Sequence, residues 1–120
     1  QSWQEISPSQ KNAPSFRGGH STAWLSGHLL VYGGARCVPM CKCLDDAWLF
    51  NPERRSWAQL QSAEESEPAR PVARYRHSSV VADNKLLIFG GESYRFAQDY
   101  HSDLWQMELL HGAGLVRELL

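Results

Sequence analysis

Two His-Ser pairs carry the side chains that nucleophilic catalysis requires. His20 and Ser21 form the first pair, and His77 and Ser78 form the second. A serine hydroxyl beside an imidazole that accepts its proton is the arrangement that many acyl-transfer enzymes use. Catalysis needs such a pair only once in a chain, whereas a structural pair recurs in every unit of a repeated fold. The recurrence favours a structural role, and we predict that the chain is not an enzyme and has no catalytic residue.

Three cysteines, Cys37, Cys41 and Cys43, lie in one short segment. Thiols and imidazole bind zinc, and His101 could supply a fourth ligand, but the spacing is not that of paired Cys-x-x-Cys knuckles. A disulfide with one thiol left over is the alternative in an oxidising compartment. The spacing favours reduced thiols but leaves a disulfide or a metal site open. We predict no bound metal, no cofactor and a cytoplasmic location, with a secreted chain as the alternative.

Arginine and tyrosine side chains are concentrated in the segments between apolar runs. The guanidinium group binds carboxylates through two parallel hydrogen bonds, and Tyr and Arg are enriched at the energetic centres of protein interfaces. These residues predict a protein or peptide partner of acidic or polar character. The candidate partner-binding residues are Arg36, Arg76, Tyr94 and Arg95. The alternative is that acidic side chains of the same segments neutralise the arginines, namely Glu64, Glu65, Glu67, Glu92 and Asp99.

The overall composition argues against several classes of partner. The chain has 120 residues, a formal net charge of −1 and 42% hydrophobic residues, which is typical of a single globular domain. A nearly neutral chain has no bulk electrostatic attraction to nucleic acid or to a membrane surface. The longest apolar runs, such as 29–32 and 86–89, have the length of strands and are too short to span a membrane. We therefore expect no nucleic acid partner and no membrane contact.

The chain contains an internal repeat with an offset of 57 positions. The stretch "GGHSTAWLSGHLLVYGG" at 18–34 is followed by "RHSSVVADNKLLIFGG" at 76–91. Rare residue types match at this offset without a gap, which indicates repeated units of one fold. The matched residues include Arg17 with Arg74, His20 with His77, Gly33-Gly34 with Gly90-Gly91, Asp46 with Asp103, and Trp48 with Trp105.

Each unit has the pattern of four short β-strands. Alternating or continuous apolar runs are separated by turn residues, and helical periodicity is weak. Ser26-Gly27 in the first unit and Asp83-Asn84 in the second occupy the place of a tight hairpin turn, where positive φ angles are required. We predict an all-β fold built from four-stranded antiparallel meanders.

The ordered set of motifs resembles the kelch repeat. In that family two glycines follow an apolar strand, an acidic residue and an aromatic residue come next, and a tryptophan follows. The resemblance implies a β-propeller, in which each unit is one blade. Stacking of the blades would bury the tryptophans between them, and the recurrence of Arg17 as Arg74 favours a structural role such as bonding carbonyl groups between blades. The residues that carry the motif are Gly33, Gly34, Asp46, Trp48 and Trp57 in the first unit, and Gly90, Gly91, Asp103 and Trp105 in the second.

The repeat boundaries divide the chain into three parts. Residues 16–61 are predicted to form one complete blade. Residues 73–120 are predicted to form a second blade, whose last strand lacks the tryptophan of the motif. Residues 1–7 contain "SWQEI", which resembles "SWAQL" at 56–60, and are predicted to be the last strand of a preceding blade. Propellers have roughly four to eight blades, so the rest of the ring must come from the same chain or from self-association.

The long connections all lie at one rim of this predicted architecture. In an antiparallel meander, the connections between units emerge on the same side as those between the second and third strands, and here both are long. Long loops on a rigid scaffold usually carry binding function. We predict a protein-interaction scaffold of adaptor type, similar to the kelch propellers of ubiquitin-ligase adaptors that hold degron peptides. The alternatives are a segment of a secreted or membrane-anchored multidomain protein of attractin-like type, and a catalytic or non-catalytic propeller domain of a larger enzyme.

Overall fold

The computed structural model describes residues 1–7, 12–60, 70–94 and 97–109, and every regular element in these ranges is a β-strand. The predicted all-β fold is confirmed. Within the same ranges, no helix has the length and apolar character needed to cross a membrane. The strands in chain order are β1 (Ser21–Leu25), β2 (His28–Tyr32), β3 (Ala35–Arg36), β4 (Lys42–Cys43), β5 (Ala47–Asn51), β6 (Ser56–Leu60), β7 (Ser78–Ala82), β8 (Lys85–Phe89), β9 (Glu92–Tyr94), β10 (Gln98–Tyr100) and β11 (Leu104–Glu108).

The first unit is a four-stranded antiparallel blade. Strands β1, β2, β5 and β6 are adjacent in that order. In the second unit, β7, β8 and β11 repeat the order of the first three strands. The predicted fourth strand of the second blade falls on residues 110–120, which lie outside the described residues.

Tight hairpins join the first two strands of each blade. Ser26 and Gly27 have φ angles of 51° and 79°, and Asp83 and Asn84 have φ angles of 51° and 60°. Two consecutive residues with positive φ match the right-handed twist of the flanking strands. The turns expected from these dipeptides are therefore confirmed. The hydroxyl of Ser26 donates to Oδ1 of Asn84 at 2.8 Å, so the two hairpins also contact each other.

Each long loop between the second and third strands contains a short ribbon that the sequence pattern did not reveal. Strand β3 pairs with β4, and β9 pairs with β10, both in antiparallel orientation. Strands of two or three residues carry too little alternation to be recognised in a sequence.

The hydrophobic core lies between the two blades. Leu30 and Leu49 of the first blade are 0% and 1% exposed, and Leu86 and Ile88 of the second blade belong to the same cluster. Trp105 packs against it. Because side chains alternate across a strand, the core uses one face of each sheet. Burial of apolar surface between these faces is the main force that holds the blades together.

Only one of the three tryptophans expected between blades lies at the described blade interface. Trp105 meets the expectation. Trp48 directly precedes the core residue Leu49, so strand alternation places it on the opposite face of β5. Trp48 is buried there, and Trp57 packs on Phe50 with ring centroids 4.9 Å apart. Trp48 and Trp57 therefore occupy the face of the first blade that is directed away from the second.

The second blade has an exposed apolar face. Val80, Phe89 and Leu104 are 59%, 52% and 64% exposed. At the repeat offset, these positions match residues of the first blade that pack around the core between the blades. The face is thus equivalent to the one on which the second blade docks, and it is the place where a further blade would pack.

The second glycine of each pair permits a close approach of backbone segments. A Cβ atom at Gly34 would lie 2.9 Å from the carbonyl oxygen of Gly18, and one at Gly91 would lie 2.9 Å from that of Tyr75. The φ angles of the two glycines are 98° and 99°, which residues with a Cβ atom rarely adopt. The motif glycines therefore have a structural reason to recur.

Residues 1–7 form no strand, and Trp3 within them is fully exposed. A strand requires an adjacent strand to satisfy its backbone groups, and these residues pair with none of the described strands. The assignment of this segment to a preceding blade remains a prediction.

Candidate functional site

An arginine, an aspartate and a tryptophan form one hydrogen-bonded unit in the first blade. The two terminal nitrogens of Arg17 donate to the carboxylate of Asp46 at 2.6 and 3.0 Å, and the indole nitrogen of Trp48 donates to the same carboxylate at 2.8 Å. Arg17 also donates to the carbonyl oxygen of Gly33 at 3.1 Å. The unit joins the segment before β1 to the end of β2 and the start of β5.

The second blade repeats this unit at the offset of the sequence repeat. Arg74 donates to the carboxylate of Asp103 at 2.6 and 2.9 Å and to the carbonyl oxygen of Gly90 at 2.9 Å. The indole of Trp105 donates to the same carboxylate at 2.7 Å. The expected bonds from the matched arginines to carbonyl groups are present, but they lie within a blade and not between blades. The side chain of Arg74 is fully buried, so its charge depends on this bidentate pair.

The carboxylates of both units stay ionised below their ordinary titration range. Hydrogen bonds from Arg74 lower the pKa of Asp103 more than burial raises it, and the Trp105 indole lowers it further. Burial by itself would raise the pKa of Asp46, but hydrogen bonds from its arginine and tryptophan partners outweigh burial and lower it. Groups that remain ionised in this way are unsuited to proton transfer near neutral pH.

The His-Ser motif forms a hydrogen bond between blades. Nε2 of His77 lies 2.8 Å from the hydroxyl oxygen of Ser21, and the imidazole packs edge-on against Tyr32 with centroids 5.2 Å apart. Burial and the charge of Arg74 lower the pKa of His77, so the ring is neutral at pH 7. Nδ1 of His77 has no hydrogen-bond partner among the described residues, whereas catalytic Ser-His pairs use a third group there to orient the ring. This geometry supports the structural interpretation of the motif.

Contacts between blades also organise the long-loop rim, by which we mean residues 12–20, 33–46, 70–77, 90–94 and 97–103. The amide of Gly34 donates to the carbonyl of Arg74 at 2.9 Å, and the amide of Arg76 donates to the carbonyl of Gly19 at 2.7 Å. The amide of Tyr94 donates to the sulfur of Cys43 at 3.4 Å. These hydrogen bonds fix the loops of the two blades relative to each other.

Two predicted partner-binding residues, Arg76 and Tyr94, meet on this rim through Tyr75. The rings of Tyr75 and Tyr94 stack with centroids 5.9 Å apart and planes 8° from parallel. The guanidinium carbon of Arg76 lies 5.4 Å from the centroid of the Tyr75 ring. The side chain of Arg76 is 69% exposed and forms one hydrogen bond of 3.3 Å to Glu92. The sequence left open that acidic residues neutralise the arginines. For Arg76 the described neutralising group is Glu92, and this contact is weak because it is long and exposed.

A third partner-binding candidate, Arg36, takes no part in the contacts of this cluster. Arg36 is half-buried on β3 and pairs across the ribbon with Lys42 on β4. Within the described ranges, Arg36 forms no ion pair. Arg95 lies outside the described residues, as do Glu64, Glu65 and Glu67.

The sequence favoured reduced thiols and left a disulfide open, and two of the three cysteines are in fact joined. Cys37 and Cys41 form a disulfide, because the turn between β3 and β4 brings their side chains together. Cys43 is a free, half-buried thiol. His101 bonds to the hydroxyl of Ser93 at 2.8 Å. Throughout the described part of the chain, no three His, Cys, Asp or Glu side chains are grouped as a metal site requires.

Sequence reasoning missed two features of the site. The hydrogen-bonded Arg-Asp-Trp unit could have been found, because its three members recur together at one offset. The stacked ring pair had no such signal, since Tyr75 and Tyr94 match Gly18 and Cys37 of the first unit. Their contact depends on the tertiary structure alone.

The fold and this rim define a segment of a β-propeller, and known proteins share it. A family model described as the KLHDC2/KLHL20/DRC7 Kelch-repeats domain matches residues 1–112. Kelch domain-containing protein 3 of Homo sapiens is 29% identical over 80 residues, which is 67% of this chain and 20% of that protein. Host cell factor of Drosophila melanogaster is 35% identical over 64 residues, which is 53% of this chain and 4% of that protein.

A solved structure described as "Structure of YjhT" superimposes on the chain with a TM-score of 0.54 at 26% identity, covering 63% of this chain and 21% of that one. The chain thus spans about a fifth or less of the length of each of these proteins. The chain belongs to the kelch-repeat family. Domains of this family generally serve as protein-interaction propellers and are generally not enzymes.

Proposed function

We propose that the chain is part of an adaptor-type propeller that binds a protein or peptide partner on its long-loop rim and that carries out no catalysis itself. The observation that carries the proposal is the cluster in which the exposed side chains of Arg76 and Tyr94 both pack on the half-buried Tyr75. Aromatic side chains that are already stacked lose little conformational entropy on binding, and Tyr and Arg dominate the energetics of protein interfaces. The net charge of −1 gives nucleic acid and membranes no comparable attraction.

Selection from a random peptide library, with the full chain as bait, tests the proposal. Selected peptides should bind at least about fivefold more weakly to Tyr94→Ala and to Arg76→Ala, which is the effect of losing an interface residue worth more than about 1 kcal/mol. Arg54→Ala, in the turn between β5 and β6 at the opposite rim, is the control and should leave affinity unchanged. Failure to select any peptide, or equal affinity in all four proteins, would refute the proposal. Both rim side chains are more than half exposed, so the urea midpoint should not change.

A secreted or membrane-anchored multidomain protein is the second candidate, and the Cys37–Cys41 disulfide favours it. Disulfides persist in oxidising compartments and are rare in the cytosol. This second candidate places the chain in an oxidising compartment, whereas the sequence predicted a cytoplasmic location. Alkylation of the denatured, unreduced protein from its native source should modify Cys43 alone. Modification of all three cysteines would refute this location and favour the cytoplasmic adaptor.

A further inference from the structure

Two cationic side chains oppose each other on the β3–β4 ribbon. Arg36 and Lys42 are direct partners in its antiparallel register. Directly opposed residues of a ribbon have Cβ atoms roughly 4.5–5.5 Å apart, so like charges at such a pair repel and reduce the stability of the pairing. The pair therefore opposes the formation of the ribbon on which it lies.

Acidic side chains near the ribbon are engaged with other groups. Asp45 forms an ion pair with Arg70 at 3.1 Å. Glu92, on the ribbon of the second blade, accepts hydrogen bonds from two neighbouring side chains. Among the described residues, no carboxylate lies within ion-pair distance of Arg36 or Lys42. The ribbon thus presents two positive charges and no anion between them.

The surroundings of the pair hold it in place beside the aromatic cluster. Arg36 immediately precedes Cys37 and Lys42 immediately follows Cys41, so the disulfide closes the ribbon next to both cations. The next residue, Cys43, accepts the hydrogen bond from the amide of Tyr94. Since the backbone on either side is fixed by covalent and hydrogen bonds, less conformational entropy is lost when a ligand binds here.

We propose that Arg36 and Lys42 form an anion site that binds a carboxylate side chain of an acidic peptide segment in the partner. The inference rests on the proposed function of the rim and adds the charge of the partner to it. A carboxylate placed between the two groups accepts charge-assisted hydrogen bonds from both and removes their repulsion. Two cations on a chain of net charge −1 suit a short acidic segment better than a nucleic acid, whose affinity depends on many phosphate contacts.

Fluorescence anisotropy with a fluorescein-labelled peptide of ten glutamates, its ends uncharged, tests the site on the full chain. The variant carries Arg36→Gln and Lys42→Gln together. The matched control carries Arg54→Gln and Arg55→Gln, which remove the same charge from the opposite rim. The ribbon variant should bind about fivefold more weakly, the combined effect of two ion pairs that are at least partly exposed, and the control should bind like the unaltered chain. The thermal midpoint of the ribbon variant should not fall, because its substitutions remove a repulsion.

The alternative results each identify a different error. Equal weakening in both variants would overturn the site in favour of unspecific attraction, and undiminished binding in the ribbon variant would overturn it outright. Binding of a ten-nucleotide thymidine strand with the same dependence on the ribbon would assign the site to nucleic acid and overturn the peptide. Peptides from the library that depend on Tyr94 but not on the ribbon would leave the proposed function intact and refute the anion site alone. An empty library selection would refute the proposed function itself.

Discussion

Both Asp103→Ala and Arg74→Met break the Arg74–Asp103 ion pair, and we expect Asp103→Ala to lower the free energy of unfolding more. Among the described residues, Asp103→Ala leaves the fully buried guanidinium of Arg74 with only the backbone carbonyls of Val72 and Gly90 as acceptors. It also removes the acceptor of Trp105. Arg74→Met leaves a carboxylate whose side chain is 42% exposed and which water can solvate. The two substitutions remove the same ion pair, but Asp103→Ala leaves a buried charge without its partner, whereas Arg74→Met leaves a charge that water can reach.

The magnitudes follow from the burial of each partner. Removing one partner of a buried ion pair costs about 3–5 kcal/mol. Asp103→Ala should lie at the lower end, at about 3 kcal/mol, because the carboxylate is partly hydrated and Arg74 keeps two neutral acceptors. Arg74→Met loses those two bonds to carbonyls, each worth about 1 kcal/mol, and regains part of this through apolar burial. We therefore expect about 1–2 kcal/mol for Arg74→Met.

Urea unfolding of the full chain, followed by tryptophan fluorescence, measures both effects. Asp46→Ala is the matched variant of the first blade and should resemble Asp103→Ala, because the Arg17 side chain is also buried. Hydrogen bonds from Arg74 lower the pKa of Asp103 in the folded state, so its contribution is complete above the unfolded pKa of about 4 and is lost as the pH falls further. The loss in free energy of unfolding caused by Asp103→Ala should therefore become smaller as the pH falls below about 4. An equal or larger cost for Arg74→Met, or a cost below about 1 kcal/mol for Asp103→Ala, would refute this reasoning.

Urea unfolding also checks three further expectations. Gly34→Ala should lower the free energy of unfolding by about 2 kcal/mol or more, because Gly34 has a positive φ and lies close to the carbonyl oxygen of Gly18. Gly18→Ala has open space around it and should change that free energy by no more than about 0.5 kcal/mol, so equal losses would contradict the role of the glycine pair. Burial lowers the pKa of His77, so the free energy of unfolding should fall as the pH drops below about 6.5, and a profile that His77→Gln leaves unchanged would contradict this. Leu49→Ala should cost about 2–5 kcal/mol, whereas Phe89→Ser should stay within about 0.5 kcal/mol; a large cost at Phe89 would mean that this face is covered.

Local and periodic signals made much of the fold predictable. The hairpins at Ser26-Gly27 and Asp83-Asn84 depend on the φ preferences of adjacent residues, which a sequence states directly. The blades followed from apolar alternation. The shared offset of Arg17, Asp46 and Trp48 with their counterparts indicated that the fold repeats, but not that these three side chains bond to one another. The ribbons β3–β4 and β9–β10 were not predictable, because two or three residues are too few to show a period.

The sequence by itself determined the repeat, the strand pattern, the turns and the presence of arginine and tyrosine in the long loops. Only the tertiary structure decided which of those side chains meet. It stacked Tyr94 on Tyr75 and brought the amide of Tyr94 to the sulfur of Cys43. The physical reason is the range of the interactions. Turn and strand preferences act between neighbours in the chain, whereas contacts on the rim form only after the burial of Leu30 and Leu49 against the second blade has brought distant loops together.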